Sequence, residues 1–227
     1  LILAGRGFGK TRTGAEWVRQ EVSAKRASRI ALVAETQKDL EEVMVFGDSG
    51  IASVFPPHQR PNIVKKPIRV EFHTGAVAFG YNATEPDQLR GPQFDAAWAD
   101  ELAKWAHARD TWAMLQFGLR LGDRPRQVIT TTPRPISVLK EIMADQHTII
   151  TRGSTFDNRM NLAPSFFEQV VRRYEGTRLG RQELNAEILD DYPGALFTRS
   201  MFRYRVVADD LEATANGGVQ HRGVRTA

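Results

Sequence analysis

Cysteine is absent from all 227 residues, so neither a disulfide framework nor a thiolate zinc site is open to this chain. No apolar run approaches the roughly 20 residues that span a bilayer, which excludes a helical membrane protein. The five histidines are scattered, and no HExxH pair occurs among them. Near the first residue no basic region precedes an apolar stretch and no small-residue cleavage site follows one. Nothing there reads as a signal peptide, and a cytoplasmic setting is the expectation. Methionine is missing from position 1 as well. Leu1 falls inside what reads as a buried strand, and the expectation is that an upstream part of the domain is left out. Present instead are 41% hydrophobic and 26% charged residues, enough for one substantial core with a small appendage. Lys plus Arg exceeds Asp plus Glu by 31 to 27, a mild lean toward a polyanionic partner that many ordinary proteins share.

Short apolar strands alternate with amphipathic helices, the pattern of an α/β domain with a mainly parallel sheet. Leu1 to Leu3 reads as a strand end, Thr11 to about Ala24 as a helix with Ala15, Val18 and Val22 on one face, and Ile30 to Ala34 as a strand. Thr36 and Asp39 predict a cap for a helix carrying Leu40, Val43 and Met44. Pro56, Pro57, Pro61 and Pro67 mark a loop. Ile68 to Phe72 and Ala76 to Tyr81 flank His73-Thr74-Gly75 as a hairpin inserted in the parallel pattern. Further strands are predicted at Phe94 to Ala99, Val128 to Thr131 and His147 to Thr151, with a helical region through Trp112 and Leu115 and a helix from Ile136 to Met143. After Asp157 two helices are expected, roughly Pro164 to Tyr174 and Arg178 to Leu189, forming a small helical subdomain. Past Gly194 the pattern dissolves. Asn216-Gly217-Gly218 and the basic end from His221 to Arg225 read as a linker or mobile terminus, without strand or helix periodicity.

The strongest chemical signal is Ala4-Gly5-Arg6-Gly7-Phe8-Gly9-Lys10-Thr11, lying between an apolar strand and a helix. A phosphate-binding loop requires that context. Glycines let successive backbone N–H groups curl around phosphates, the helix N-terminus adds its positive dipole, Lys10 neutralises phosphate charge and the Thr11 hydroxyl can ligate Mg²⁺. Ala4 stands where the usual first glycine would be, so the pattern is a variant. A Gly-rich turn without a ligand is the alternative, and the Gly-Lys-Thr ending between correct flanks favours the phosphate loop. Asp100-Glu101 closes a later strand. Such a pair suits a nucleoside triphosphatase, the first acid holding the hydration shell of Mg²⁺ and the second polarising the attacking water. An acidic pair capping the following helix is the other reading. Thr130-Thr131-Thr132-Pro133 ends the next strand, where hydroxyls could sense a γ-phosphate, although three threonines are also plain strand formers.

Taken together, Gly-Arg-Gly-Phe-Gly-Lys-Thr at positions 5–11, Leu89-Arg90-Gly91 with Phe94 and Ala99-Asp100-Glu101, and Thr131-Thr132-Pro133 resemble the ATPase domain of the large terminase subunit of tailed bacteriophages and related gene-transfer particles. Ser154-Thr155-Phe156-Asp157-Asn158, Asn161-Leu162-Ala163-Pro164 and the run from Tyr174 to Leu184 are similar to that family too, so the resemblance extends from Leu1 to about Met201. It implies a P-loop NTPase fold of the RecA-like (ASCE) kind: an ATPase core over 1–153, a helical lid or linker over 154–195, and a tail over 196–227 that stops before a nuclease domain. It implies ATP and Mg²⁺ as cofactors and an activity of ATP hydrolysis that drives double-stranded DNA into a procapsid. Gly5, Arg6, Gly7, Phe8, Gly9, Lys10 and Thr11 would then bind phosphate, with Lys10 and Thr11 as Walker A lysine and metal-binding hydroxyl. Arg6 would be the loop arginine at the γ-phosphate. Asp100 would hold the metal through water, Glu101 would be the catalytic base, and Thr130, Thr131 and Thr132 would form the coupling motif. Arg90 falls where some terminases place an arginine finger acting on the neighbouring subunit, a role suited to its permanent charge and forked donors, while a solvated loop arginine is the other reading. The implied partners are duplex DNA, a portal protein, a small terminase subunit and further copies of the chain in a ring.

Departures from the family pattern matter equally. The family's adenine-contacting segment precedes the phosphate loop, and this sequence begins after it. Nuclease activity is not expected: Tyr204 to Val207 followed by Ala208-Asp209-Asp210 could imitate the first strand and acid of the nuclease, but two-metal cleavage needs a clamp of several acids. Arg172, Arg173, Arg178 and Arg181 are candidate DNA-gripping residues, and a solvated helix face accounts for them as well. Two further readings remain. One is a helicase-like DNA-dependent ATPase, which would need a second RecA-like domain. The other is an assembly or binding module without turnover.

Overall fold

In a computed structural model, which describes residues 1–189 and the backbone of 211–213 and 219–221, the short apolar runs become strands covered on both faces. β1 (Ile2–Ala4) leads through the glycine-rich loop into helix α1 (Lys10–Ser23), and β2 (Arg29–Ala34) follows. Next come β3 (Asn62–Lys65), β4 (Ile68–Glu71) and β5 (Val77–Asn82), then β6 (Ala96–Asp100), α2 (Ala108–Gly118), β7 (Arg126–Thr131), α3 (Ser137–Ala144) and β8 (Thr151–Gly153). They form one sheet in the order β3-β4-β5-β2-β6-β7-β1-β8. The run from β5 to β8 is parallel throughout, and β3 and β4 add an antiparallel edge.

Alternation along the strands divides the core into two layers. Ile30, Leu32, Ala96 and Trp98 face Ala15, Val18 and Val22 of α1, whereas Ala31, Val33, Ala97 and Ala99 face Leu115 of α2 and Ile142 of α3. A sheet buried on both sides needs near-continuous apolar strands, and Ile30 to Ala34 is such a run. The strand order has a functional consequence. β7 lies between β1 and β6, so the phosphate-loop candidate and Asp100-Glu101 emerge at the same sheet edge, one strand apart, with Thr130 to Thr132 between them.

Several boundaries differ from the sequence reading. The proline-marked loop contains a strand, β3, which is half-exposed at the sheet edge between Pro61 and Pro67, where prolines interrupt no central ladder. β8 is Thr151–Gly153 rather than His147 to Thr151. Its register against β1 pairs Ile2 with Thr151 and Ala4 with Gly153, while Ile149 is exposed, so the apolar Ile149-Ile150 pair was a misleading strand signal. Thr36 does cap as expected, its Oγ1 accepting from the Asp39 N–H at 3.1 Å, but only one α-helical turn (Gln37–Asp39) follows before a π-helical turn (Leu40–Val45). Helical structure runs from Pro164 to Tyr174 with a π-turn at Phe167–Val171, and the last helix among the described residues, α4 (Arg178–Glu183), stops well before Leu189. In the tail, expected to lack strands, β9 (Leu211–Ala213) pairs antiparallel with β10 (Val219–His221) on either side of Asn216-Gly217-Gly218. Three-residue strands are too short to register as periodicity. Asp209, Asp210 and the basic stretch beyond His221 lie outside the described residues.

Candidate nucleotide site

Gly9 opens α1 with φ 104°, a left-handed conformation that a side chain would strain, and no side chain caps the helix. The first-turn N–H groups of α1 are therefore left to meet an anion. Lys10 begins the helix but turns its side chain inward. Its Nζ donates to the carbonyls of Ala4 (3.0 Å) and Gly5 (3.1 Å) and to Thr132 Oγ1 (3.0 Å). Burial pushes this ammonium below the usual lysine range, against the pull of Glu101 and Asp100.

Glu101 occupies a left-handed backbone position, φ 50° and ψ 40°, held by its N–H on the Thr130 carbonyl at 2.6 Å. Non-glycine residues in that region carry strain that the surroundings must hold in place, and it aims this side chain into the cleft. Oε1 lies 3.6 Å from Lys10 Nζ, and Oε2 accepts from the Thr132 N–H at 3.1 Å. Lys104 Nζ stands 3.9 Å from Oε2. Thr132 thus touches the loop lysine with its hydroxyl and the glutamate with its amide.

Asp100 sits deeper, 5% exposed, beneath the cleft rather than on its wall. Its Oδ1 accepts from Thr130 Oγ1 at 2.5 Å, and Thr130 Oγ1 accepts in turn from Trp98 Nε1 at 2.8 Å. Desolvation pushes the Asp100 carboxyl up to about 7, with the Thr130 hydrogen bond pulling the other way. Thr131 points away from the cleft, accepting from the Ala103 N–H at 3.0 Å and fixing the short 3₁₀ turn Leu102–Lys104.

The segment after β8 packs against the loop from outside. Thr155 Oγ1 donates to the Arg6 carbonyl (2.6 Å), Asn158 Nδ2 to the Gly7 carbonyl (2.7 Å), and the Arg6 N–H reaches the Glu183 carbonyl (2.6 Å). The Arg6 guanidinium, 66% exposed, lies 3.4 Å from Glu183 Oε2. What results is a cleft of about 900 Å³ lined by Arg6 to Thr13, Glu101, Lys104, Thr132, Asn158, Asn161 and Leu162, and also by Glu42, Val43 and Gly47 to Ser49.

The structure therefore brings together on one cleft Arg6, Gly7, Phe8, Gly9, Lys10, Thr11, Glu101 and Thr132. Gly5 forms the root of the loop, and Asp100, Thr130 and Thr131 support the site from behind. Arg90 is not there. It follows the 3₁₀ turn Pro86–Leu89 on the β5-to-β6 connection, 75% exposed and 3.9 Å from Asp87. Sequence reasoning missed Lys104, Asn158 and Asn161 as lining residues. Lys104 reaches the cleft through the 3₁₀ turn that follows Glu101, which no spacing signal announces; the asparagines lie in the stretch resembling the family but carry no spacing signal of their own.

A sequence model of a family described as terminase large subunit, T4likevirus-type, N-terminal, matches residues 1–204. Among solved structures, the ATPase domain of the Thermus phage P74-26 large terminase superposes with a TM-score of 0.57 at 18% identity, over 83% of this chain and 88% of that one. The large terminase of a second, thermophilic bacteriophage gives 0.63 at 14% identity, over 82% of this chain and 47% of that one. The same thermophilic-phage protein in complex with ATP-gamma-S gives 0.61 at 11% identity, over 81% and 46%. These likenesses show the shared fold, and this chain matches 47% of the length of the thermophilic-phage protein.

Proposed function

This chain belongs to the terminase large subunit family, and from that premise we propose that the cleft binds and hydrolyses ATP to drive double-stranded DNA into a procapsid. One observation carries the reading: Glu101, Lys10 and Thr132 are joined in a single network at the end of a glycine-rich loop and a helix N-terminus. Structures of the thermophilic-phage large terminase with ADP and with ATP-gamma-S lend the fold a nucleotide-binding precedent.

On this reading the triphosphate lies along the loop N–H groups and the first turn of α1, and Lys10 moves its charge from the Ala4 and Gly5 carbonyls to the phosphate oxygens. Glu101 accepts a proton from a water that attacks the γ-phosphorus, and the bond from that phosphorus to the bridging oxygen breaks, leaving ADP. Arg6, at the cleft mouth, neutralises charge on the transferring group. The residues fit Mg²⁺ in their donor chemistry: the Thr11 hydroxyl and, through water, the Asp100 carboxylate are hard oxygen donors, and Asp100 is a buried acid whose ionised form a divalent cation would stabilise. Bound there, the ion would neutralise charge on the phosphates. Thr132 gives hydrolysis a mechanical outlet, since loss of the γ-phosphate alters Lys10 and Glu101, and both touch the end of β7.

Grip on DNA would fall mainly on phosphates, so it is independent of sequence and weakened by salt. A ring of such subunits on a portal, loaded by a small terminase subunit, is the assembly that the family points to. Among the described residues no helix is long and apolar enough to cross a membrane. The test is Mg²⁺-dependent ATP hydrolysis by the purified chain with and without duplex DNA, beside Lys10→Ala and Glu101→Ala. Turnover by the wild type no greater than by these variants would overturn the motor reading.

A further inference from the structure

Lys104 is placed in the cleft by neighbours anchored on both sides of it. Before it, Leu102 and Ala103 are buried, and the Ala103 N–H is bound to Thr131 Oγ1 at 3.0 Å. After it, buried Trp105 donates its Nε1–H to the Asp100 carbonyl at 2.9 Å. The residue between these anchors has a fixed Cα and a flexible side chain, 31% exposed, that lines the cleft beside Lys10.

The Glu101 carboxylate therefore stands between two ammonium groups, with Lys10 Nζ 3.6 Å from Oε1 and Lys104 Nζ 3.9 Å from Oε2. The two cations are not equivalent. Lys10 is buried and already shared among two carbonyls and a hydroxyl, so it serves the inner part of the site. Lys104 is more exposed and looser in its pairing, and it stands beside Glu101 at the open side of the site. Terminal phosphate oxygens carry more negative charge than a single carboxylate, and they would draw Lys104 away from Oε2. A diphosphate also ends in a charged phosphate, but it has none at the γ position and would leave the pair intact.

We infer that Lys104 is a phosphate-binding residue that distinguishes triphosphate from diphosphate, leaving Glu101 Oε2 for the γ-phosphate when one is present and returning to it after hydrolysis. The inference rests on the reading of the cleft as an ATPase site. An ammonium-to-phosphate contact confined to the triphosphate state should appear in one nucleotide and not the other.

The test compares wild type, Lys104→Met and Lys104→Arg by binding of ADP and ATP-gamma-S and by steady-state ATP hydrolysis, with thermal unfolding of each as a check on folding. Lys104→Met should bind ADP as the wild type does, bind ATP-gamma-S about tenfold more weakly and lose about tenfold or more in kcat, whereas Lys104→Arg should recover most of both. Equal weakening of both nucleotides, or a Lys104→Met enzyme with wild-type kcat and nucleotide preference, would overturn the inference while leaving the ATPase reading in place. A wild-type chain that binds neither nucleotide would overturn both.

Discussion

Thr130 donates its hydroxyl proton to Asp100 across 2.5 Å and accepts the Trp98 indole N–H on the same oxygen, tying the end of β7 to the middle and end of β6. All three groups are buried, so none can turn to water for a replacement partner. Thr130→Val preserves shape but leaves the indole N–H without an acceptor and Asp100 without its donor. We expect a loss of about 1–3 kcal/mol in urea unfolding, with Thr130→Ser close to wild type. Equal midpoints for the Val and Ser variants would show that the hydroxyl is dispensable.

The same carboxyl sets a pH dependence. Asp100 titrates at about 7 in the folded chain, up from 3.8, because it is desolvated. Between about pH 4 and 7 the folded state binds more protons than the unfolded one, so stability falls as pH rises through that window and the loss is complete above it. Without nucleotide and with a chelator present, this group should contribute a slope of up to about 1.4 kcal/mol per pH unit. Asp100→Asn should flatten that slope and be more stable than wild type above neutrality; parallel stability curves for the two proteins would rule the shift out.

Gly14 in α1 lies against the Trp98 ring so closely that an added Cβ would fall 2.2 Å from Cε2. Alanine favours a helix interior by about 1 kcal/mol over glycine, but here the ring must shift and the Trp98 hydrogen bond to Thr130 shifts with it. Gly14→Ala should destabilise by about 1–3 kcal/mol and lower ATP turnover, read by thermal unfolding beside a hydrolysis assay. A raised melting temperature would mean that the ring can move at little cost.

The outer wall of the loop offers a separable effect. Thr155 and Asn158 bind the Arg6 and Gly7 carbonyls and so hold the loop in the curl that a phosphate requires. Asn158→Ala removes one such bond at an exposed position. Nucleotide affinity should weaken about three- to tenfold, with the unfolding midpoint nearly unchanged. Were stability and affinity to fall together, the bond would be holding the fold rather than shaping the loop.

How far the sequence could reach differed by kind of residue. That Lys10, Thr11 and Glu101 would meet on one cleft was legible, because a glycine-rich loop and an acidic pair each stand beside a strand end, and a strand end is visible as a short apolar run. Boundaries at the sheet edge were not: Ile63 and Val64 are half-exposed in β3 and hemmed by prolines, so their pattern is as consistent with a loop. Asp100 was placed correctly at the end of β6, yet its retreat beneath the cleft depends on Thr130, on a different strand, and through it on Trp98, and no local pattern encodes that. Lys104 stayed hidden for a related reason, since only the 3₁₀ turn after a left-handed Glu101 brings it back beside the carboxylate.

Arg90 raises the question of what completes the site. Within its own subunit it is exposed, pairs only loosely with Asp87 at 3.9 Å, and lies outside the cleft, while buried Leu89 anchors the turn that presents it. A role in hydrolysis would then be exercised on a neighbouring subunit's nucleotide, where a guanidinium can neutralise the transferring phosphoryl group. Arg90→Ala should lower turnover by about a thousandfold or more without changing stability, and wild-type activity per chain should rise steeply with protein concentration. The decisive arrangement mixes Arg90→Ala with Glu101→Gln. Each protein alone lacks one half of every site, but in a mixed assembly an intact Glu101 can meet an intact Arg90, so activity should return on mixing. No recovery, together with a flat concentration profile, would remove Arg90 from the catalytic site of the neighbouring subunit.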